Sequence, residues 1–200
     1  MRKLIEYDHL SIDGRISGDG FWAAQMAIPT NDQHLEYQRR LLEPAVGLVL
    51  GRETYEGFAA TWPSMTGGIA DTLNSLPKHV ASTTLTATTW NAEVLAGDAV
   101  DAVARLKESG DGTLVKYGNG PFSRALVEAG LLDELHLLVH PIAVRKGMRL
   151  FDEGDTPIPL TLLSSQTFRT GVLNLVYAPA ESAPEGTYED AKVHLNQPEG

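Results

Sequence analysis

Apolar and polar positions alternate along this chain in short blocks, some with a period of two residues and others with the period of a helix. Leu4–Ile12 reads as a first strand closed by the Asp13-Gly14 turn signal. A glycine-rich loop, Gly14 to Thr30, follows and carries Phe21, Trp22 and Met26. Thr30 and Gln33 have capping-box spacing, Leu35, Gln38 and Leu42 share one helix face, and Pro44 stops that helix. Val46–Leu50 is an apolar run suited to a buried strand, and it leads into a helix from Gly51-Arg52-Glu53-Thr54-Tyr55 to about Ala60. Trp62 to Pro77 is broken by Pro and Gly and leaves room for a short helix between Ile69 and Leu76.

Strands are expected at His79–Ser82 and Glu93–Leu95. Asp98 should cap a helix reaching about Ser109, with Asp101 and Arg105 paired at i,i+4 and Gly110 as its stop. Thr113–Tyr117 is a strand that Gly118-Asn119-Gly120 turns into a helix with Pro121 first and Gly130 at its end. Leu135–Val144 reads as a long apolar strand, apolar enough to suggest an interface. Leu160–Phe168 and Val172–Tyr177 form a hairpin about Arg169-Thr170-Gly171. Strands alternating with helices, then a hairpin, predict an α/β fold whose sheet is mostly parallel with an antiparallel edge.

Composition narrows the function. Two hundred residues suit one domain over 1–180, followed by an acidic tail, 181–200, in which Lys192 is the one Lys or Arg. The net charge of -10 argues against a nucleic-acid partner, which needs a basic face. The chain has no cysteine, which excludes disulfides, zinc–thiolate sites and cysteine nucleophiles and fits a cytoplasmic location. Glu6 and Asp8 interrupt the first apolar run, so no signal peptide is expected, and no apolar stretch is long enough to make the membrane a partner.

The candidate chemistry lies at two strand-to-helix junctions, Gly51–Thr54 and Gly118–Pro121. Free backbone N–H groups and a helix dipole converge at such points and favour anions. Arg52 and Thr54 add a cation and a hydroxyl at the first, and Gly118 and Gly120 open the main chain to a phosphate at the second. A Rossmann fingerprint is absent: the glycine pair comes late, Ser123 stands at its third position, and Leu138 and His140 lie where an acid belongs. No Walker lysine, H-E-x-x-H or G-x-S-x-G motif occurs. His136 and His140 share a strand face without a visible third ligand, so no metal site is expected. Asp133-Glu134 reads as a solvated turn.

Gly51-Arg52-Glu53-Thr54-Tyr55-Glu56 resembles the G-R-x-T-[WY]-E motif of dihydrofolate reductases and their relatives, and Ser11-Ile12-Asp13-Gly14 resembles the S-[LI]-D-G that closes their first strand. The run from Leu126 to Leu137, with His140-Pro141 and Leu150-Phe151 after it, is similar to the branch containing the reductase domain of riboflavin biosynthesis. The likeness extends over about residues 2 to 178. It implies a three-layer dihydrofolate-reductase-like fold, helices on both sheet faces, and hydride transfer from NADPH (NADH being possible) to a C=N or C=O bond of a small heterocyclic or conjugated substrate.

On that resemblance, Gly51, Arg52 and Thr54 hold cofactor phosphate, and Ser82, Thr83 and Thr84 meet the adenosine ribose or its 2′-phosphate. Gly118, Asn119, Gly120, Pro121 and Phe122 cradle the pyrophosphate, with Ile12, Asp13 and Gly14 near the nicotinamide. Relatives often carry an arginine where Thr83 stands, so Arg52, with Lys78 or His79, is left to meet a 2′-phosphate. Asp13 and Asp32 are the carboxylates available for proton delivery, and Trp22, Tyr55, Phe58 and Trp62 are candidates for the substrate pocket. Relatives commonly dimerise, so a homodimer is expected. The alternatives are a ribosylated-pyrimidine reductase of the riboflavin pathway and a dinucleotide-binding sensor without catalysis.

Overall fold

The computed structural model describes residues 1–18, 20, 21, 23, 32–151 and 157–180, so Trp22, Thr30 and the acidic tail lie outside the described residues. Eight strands form one sheet among them: β1 (Lys3–Ser11), β2 (Ala45–Gly51), β3 (Lys78–Ala81), β4 (Ala92–Val94), β5 (Thr113–Tyr117), β6 (Glu134–His140), β7 (Leu160–Thr167) and β8 (Leu173–Pro179). Their spatial order is β4-β3-β2-β5-β1-β6-β8-β7. Strands β1 to β6 are parallel, and the β7–β8 hairpin is antiparallel. Helices whose bounds lie among the described residues are α1 (Asp32–Leu42), α2 (Arg52–Thr61), α3 (Ile69–Ser75), α4 (Ala99–Glu108) and α5 (Pro121–Glu128), with a 3₁₀ turn at Trp62–Ser64.

Side-chain alternation along the strands divides the core in two. Ile5, Tyr7, Leu48 and Leu50 pack with Leu41, Tyr55 and Leu73 of α1, α2 and α3 on one face. Leu4, Leu10, Val49 and Leu114 pack with Ala102, Val103 and Leu126 of α4 and α5 on the other. Leu48, Val49 and Leu50 are each 0% exposed, which is why β2 reads as an unbroken apolar run. The expected three layers, with helices on both sides of a mostly parallel sheet, are thus in place.

Local chemistry sets most element ends. Asp98 caps α4 by accepting from the N–H groups of Val100 (2.9 Å) and Asp101 (3.1 Å). Arg105 does not pair with Asp101; it turns back and donates to the carbonyl of Ala96 at 3.2 Å. Strand β6 stops at His140, short of the expected Val144, because Pro141 brings no N–H to the ladder. Its apolarity needs no partner molecule, since β1 and β8 flank it within the sheet. Asp133 and Glu134 are not a solvated turn either. Asp133 accepts from Leu4 N (2.6 Å) and Lys107 Nζ (2.5 Å), and Glu134 opens β6 and pairs with Lys3 (2.7 Å) and His136 (2.8 Å).

One topological feature locates the site. Strand β2 continues through α2 and α3 to β3 on its outer side, whereas its neighbour β5 continues through α5 to β6 in the opposite direction. Outgoing connections that diverge from adjacent strands leave a crevice at their carboxyl ends.

Candidate active site

Both glycine junctions open onto that crevice, and they touch. Gly118 has φ +75°, and a Cβ added there would collide with the Thr54 hydroxyl in the first turn of α2. Neither Gly51 nor Gly120 supplies a side-chain cap, so the first N–H groups of α2 and α5 lack that partner. A Cβ at Gly120 (φ +152°) or at Gly51 would meet nothing within 4 Å. The chain therefore places open space over two adjoining helix starts.

The other predicted contacts extend this crevice into a row. Ser82 follows β3, Gly51 ends β2, Gly118 follows β5 and Ser11 ends β1, and these four strands are consecutive in the sheet. Strand spacing makes the row about 14 Å long, a length suited to an extended dinucleotide.

Arg52 lies at the mouth, partly exposed, with its guanidinium on Glu56 at 3.0 Å and Glu53 at 3.6 Å. The Ser82 hydroxyl accepts from the N–H groups of Thr84 (3.2 Å) and Leu85 (3.0 Å), which fixes the turn and leaves Thr83 and Thr84 exposed. Lys78 and His79 are not available to a 2′-phosphate. Lys78 is buried under the Trp90 ring at 3.9 Å, where burial lowers its pKa to about 8, and His79 pairs with Glu93 at 2.8 Å.

Asp13 is engaged in a clasp between two loops. Its carboxylate accepts from Ser11 Oγ (2.6 Å), Val144 N (3.0 Å) and Arg145 N (2.8 Å). The Ser11 bond and then these backbone donors hold its pKa down at about 2, so it is ionised at neutral pH and poorly suited to give up a proton. Further bonds tie the same loops: Ile16 N to Met148 O (2.9 Å), Arg15 Nη1 to Gly147 O (2.7 Å) and Leu150 N to Gly14 O (2.9 Å). A cavity of about 460 Å³ opens beside Ser11–Gly14, walled by Leu10, Leu137, Val139, Leu150 and Leu175, with Arg149 and Tyr177 as polar edges.

Three of the four aromatic candidates are described. Phe58 packs against Trp62 (6.0 Å), Trp90 (6.4 Å) and Tyr117 (5.4 Å), and the Tyr55 hydroxyl is held by the backbone of Thr89. Tyr55 is 4% exposed, so the structure gives it a packing role. The side chain of Asp32 is outside the described residues.

Two buried polar clusters join residues that the sequence shows only singly or in pairs. Beneath α1, His9 and His140 meet at 2.9 Å, His34 lies 3.2 Å from the Tyr7 hydroxyl, and His136 lies 2.6 Å from that of Tyr37. Burial lowers the pKa of all four histidines, that of His140 to about 4, so they are neutral imidazoles. Among the described residues, no group of three or more His, Cys, Asp or Glu is arranged to hold a metal ion. Beneath the glycine turn, Glu6 and Asp8 of β1 are buried with Lys116 of β5. Their signal was present: two acids at period two in an apolar strand, with a lysine at the matching level of another buried strand.

A mostly parallel sheet with an antiparallel terminal hairpin and helices on both faces is an α/β fold of the dihydrofolate-reductase type. The chain belongs to the RibD C-terminal domain family, whose profile matches residues 3–174. A protein of Shewanella sp. PV-4 named for riboflavin biosynthesis superposes with a TM-score of 0.74 at 21% identity, covering 90% of this chain and 99% of that one. Dihydrofolate reductase from Enterococcus faecalis, solved with NADP(H), gives a TM-score of 0.61 at 15% identity, covering 90% and 97%. In sequence, the YyaP protein of Bacillus subtilis (strain 168) is 28% identical over 105 residues, which span 52% of this chain and 56% of that protein. Among the described residues, no helix is long and apolar enough to cross a membrane.

Proposed function

We propose that this chain is an NAD(P)H-dependent reductase that delivers hydride to a C=N or C=O bond of a small planar heterocyclic or conjugated substrate. The observation that carries this reading is the contact of the two uncapped junctions at the switch point, with open space over Gly120. Gly51, Arg52 and Thr54 bind phosphate there, Gly118 to Phe122 take the pyrophosphate, and Ser82 to Thr84 meet the adenosine ribose. The nicotinamide supplies the hydride, while the protein orients it and excludes water. Asp13 serves as the loop clasp, and Asp32 remains the proposed proton donor. Membership of the RibD C-terminal domain family favours a ribosylated pyrimidine as the particular substrate. A cofactor sensor, by contrast, would bind the dinucleotide and oxidise none of it.

Fluorescence titration of NADPH and NADH into wild type and Gly120→Val tests the site. With two exposed threonines and one shared arginine in place of a dedicated cation, NADPH should bind about tenfold more tightly than NADH, near 1.4 kcal/mol. Valine at Gly120 should weaken both by at least about tenfold, through its bulk over the turn and through the strain of a Cβ at φ +152°. Unchanged affinity in a folded Gly120→Val protein would remove this turn from the site.

We also propose that the chain forms a homodimer. The exposed leucines of the terminal hairpin, Leu162 (51%), Leu163 (52%) and Leu173 (40%), support it in place of β6. Light scattering at micromolar concentration should give twice the chain mass, and a monomer mass would refute it.

A further inference from the structure

The turn proposed to hold the pyrophosphate stands on a buried ionic cluster. Glu6 is 0% exposed, Asp8 6% and Lys116 1%. Glu6 and Lys116 sit opposite each other in the β1–β5 register and pair at 3.2 Å. Lys116 also donates to the Gly118 carbonyl and, at 2.5 Å, to Ser123 Oγ. Asn119 Nδ2 donates to Glu6 Oε1 at 2.6 Å, and Gly118 N donates to Asp8 Oδ1 at 3.1 Å. Asp8 Oδ2 is buried without a hydrogen-bond partner.

Two carboxylates face a single ammonium here, so full ionisation would leave one excess negative charge under a turn that receives an anion. We propose that dinucleotide binding is linked to protonation of Asp8, whose neutral carboxyl lets the Gly118–Gly120 turn accept a phosphate while the Glu6–Lys116 pair fixes the turn's geometry. The inference rests on the cofactor reading above. Protonation leaves the turn's hydrogen bond in place, because Oδ1 still accepts the Gly118 N–H while Oδ2 takes the proton. Burial first, and Glu6 second, push the Asp8 carboxyl well above the usual carboxylate range. The other groups facing it are Lys116 and Asn119, which oppose that rise. Arg124 of α5 lines the small cavity beside Glu6, and β6 presents Leu137 at the level of Asp8. Asp8 is thus a positioning residue that acts through the turn.

The test titrates NADH and NADPH into wild type, Asp8→Asn and Glu6→Gln between about pH 5.5 and 9; NADH is included because it lacks the 2′-phosphate, which itself titrates near pH 6. In wild type, affinity for both should fall by up to about tenfold per pH unit once Asp8 ionises, as one linked proton requires. Asp8→Asn should bind as wild type does at low pH and show no such fall. Glu6→Gln should move the break to lower pH. Thermal unfolding without cofactor gives an independent reading: Asp8→Asn should be more stable than wild type at alkaline pH. Wild-type affinity that ignores pH, or an Asp8→Asn protein that keeps the wild-type slope, overturns the linkage. A wild type that binds neither dinucleotide, yet shows the expected stability difference, overturns the cofactor reading and the linkage with it while leaving the titration of Asp8 in place.

Discussion

Gly118→Ala is expected to abolish measurable dinucleotide binding and to destabilise the fold by about 2–5 kcal/mol, the sum of two independent costs. The first is conformational: φ at this position is +75°, where a Cβ costs roughly 1–2 kcal/mol. The second is steric, because the new Cβ enters the space of the Thr54 hydroxyl and must push α2 away from β5. Thr54→Ala in the same chain should recover the steric part and leave the conformational part, since the offending oxygen is gone while φ is unchanged. Urea unfolding of the two single variants and the double variant, with NADPH titrated into each, separates the terms. A fully stable Gly118→Ala protein, or a double variant no better than Gly118→Ala, would show that the two junctions are not in contact.

Lys116→Met should have the largest effect on stability, about 3–5 kcal/mol at neutral pH, because it strands two buried carboxyls without their counter-charge. The pH dependence follows from the direction of the Asp8 shift. Its folded pKa lies above the unfolded one, so its contribution to stability is complete at acid pH and is lost as pH rises through the folded value. Without the ammonium that value rises further, so the cost of Lys116→Met should be smallest near pH 5 and grow toward pH 9. Urea unfolding at both ends of this range measures it. An equal loss at the two pH values would indicate that lost packing, rather than stranded charge, dominates.

Periodicity and turn chemistry made most of the architecture legible. Asp98, Pro121 and Gly130 act through their own backbone neighbours, so a local reading captures them. The misreadings at Asp133, Glu134 and Arg105 share a different cause. Each side chain is satisfied by a group distant in sequence or outside its own helix, and sequence spacing carries no record of such partners. The same holds for the site. Both glycine junctions could be found one at a time, but their contact through Thr54 and Gly118 depends on β2 and β5 being neighbours. Glu6 and Asp8 looked like interruptions of an apolar strand because the cation that accounts for them lies on β5.

The clasp between the loop after β1 and the loop after β6 also governs how this protein can be re-engineered. Segments 11–18 and 144–150 are stitched together by Asp13, Arg15 and the backbone of Ile16, and Gly147 packs so closely on Ser17 that a side chain there would strike its carbonyl. They form a single plate over the cavity beside Ser11, although more than a hundred residues separate them along the chain. A loop transplanted from a relative into one segment alone would meet donors and acceptors cut for a different counterpart. Chimaeras meant to exchange substrate preference must therefore carry both segments from the same parent.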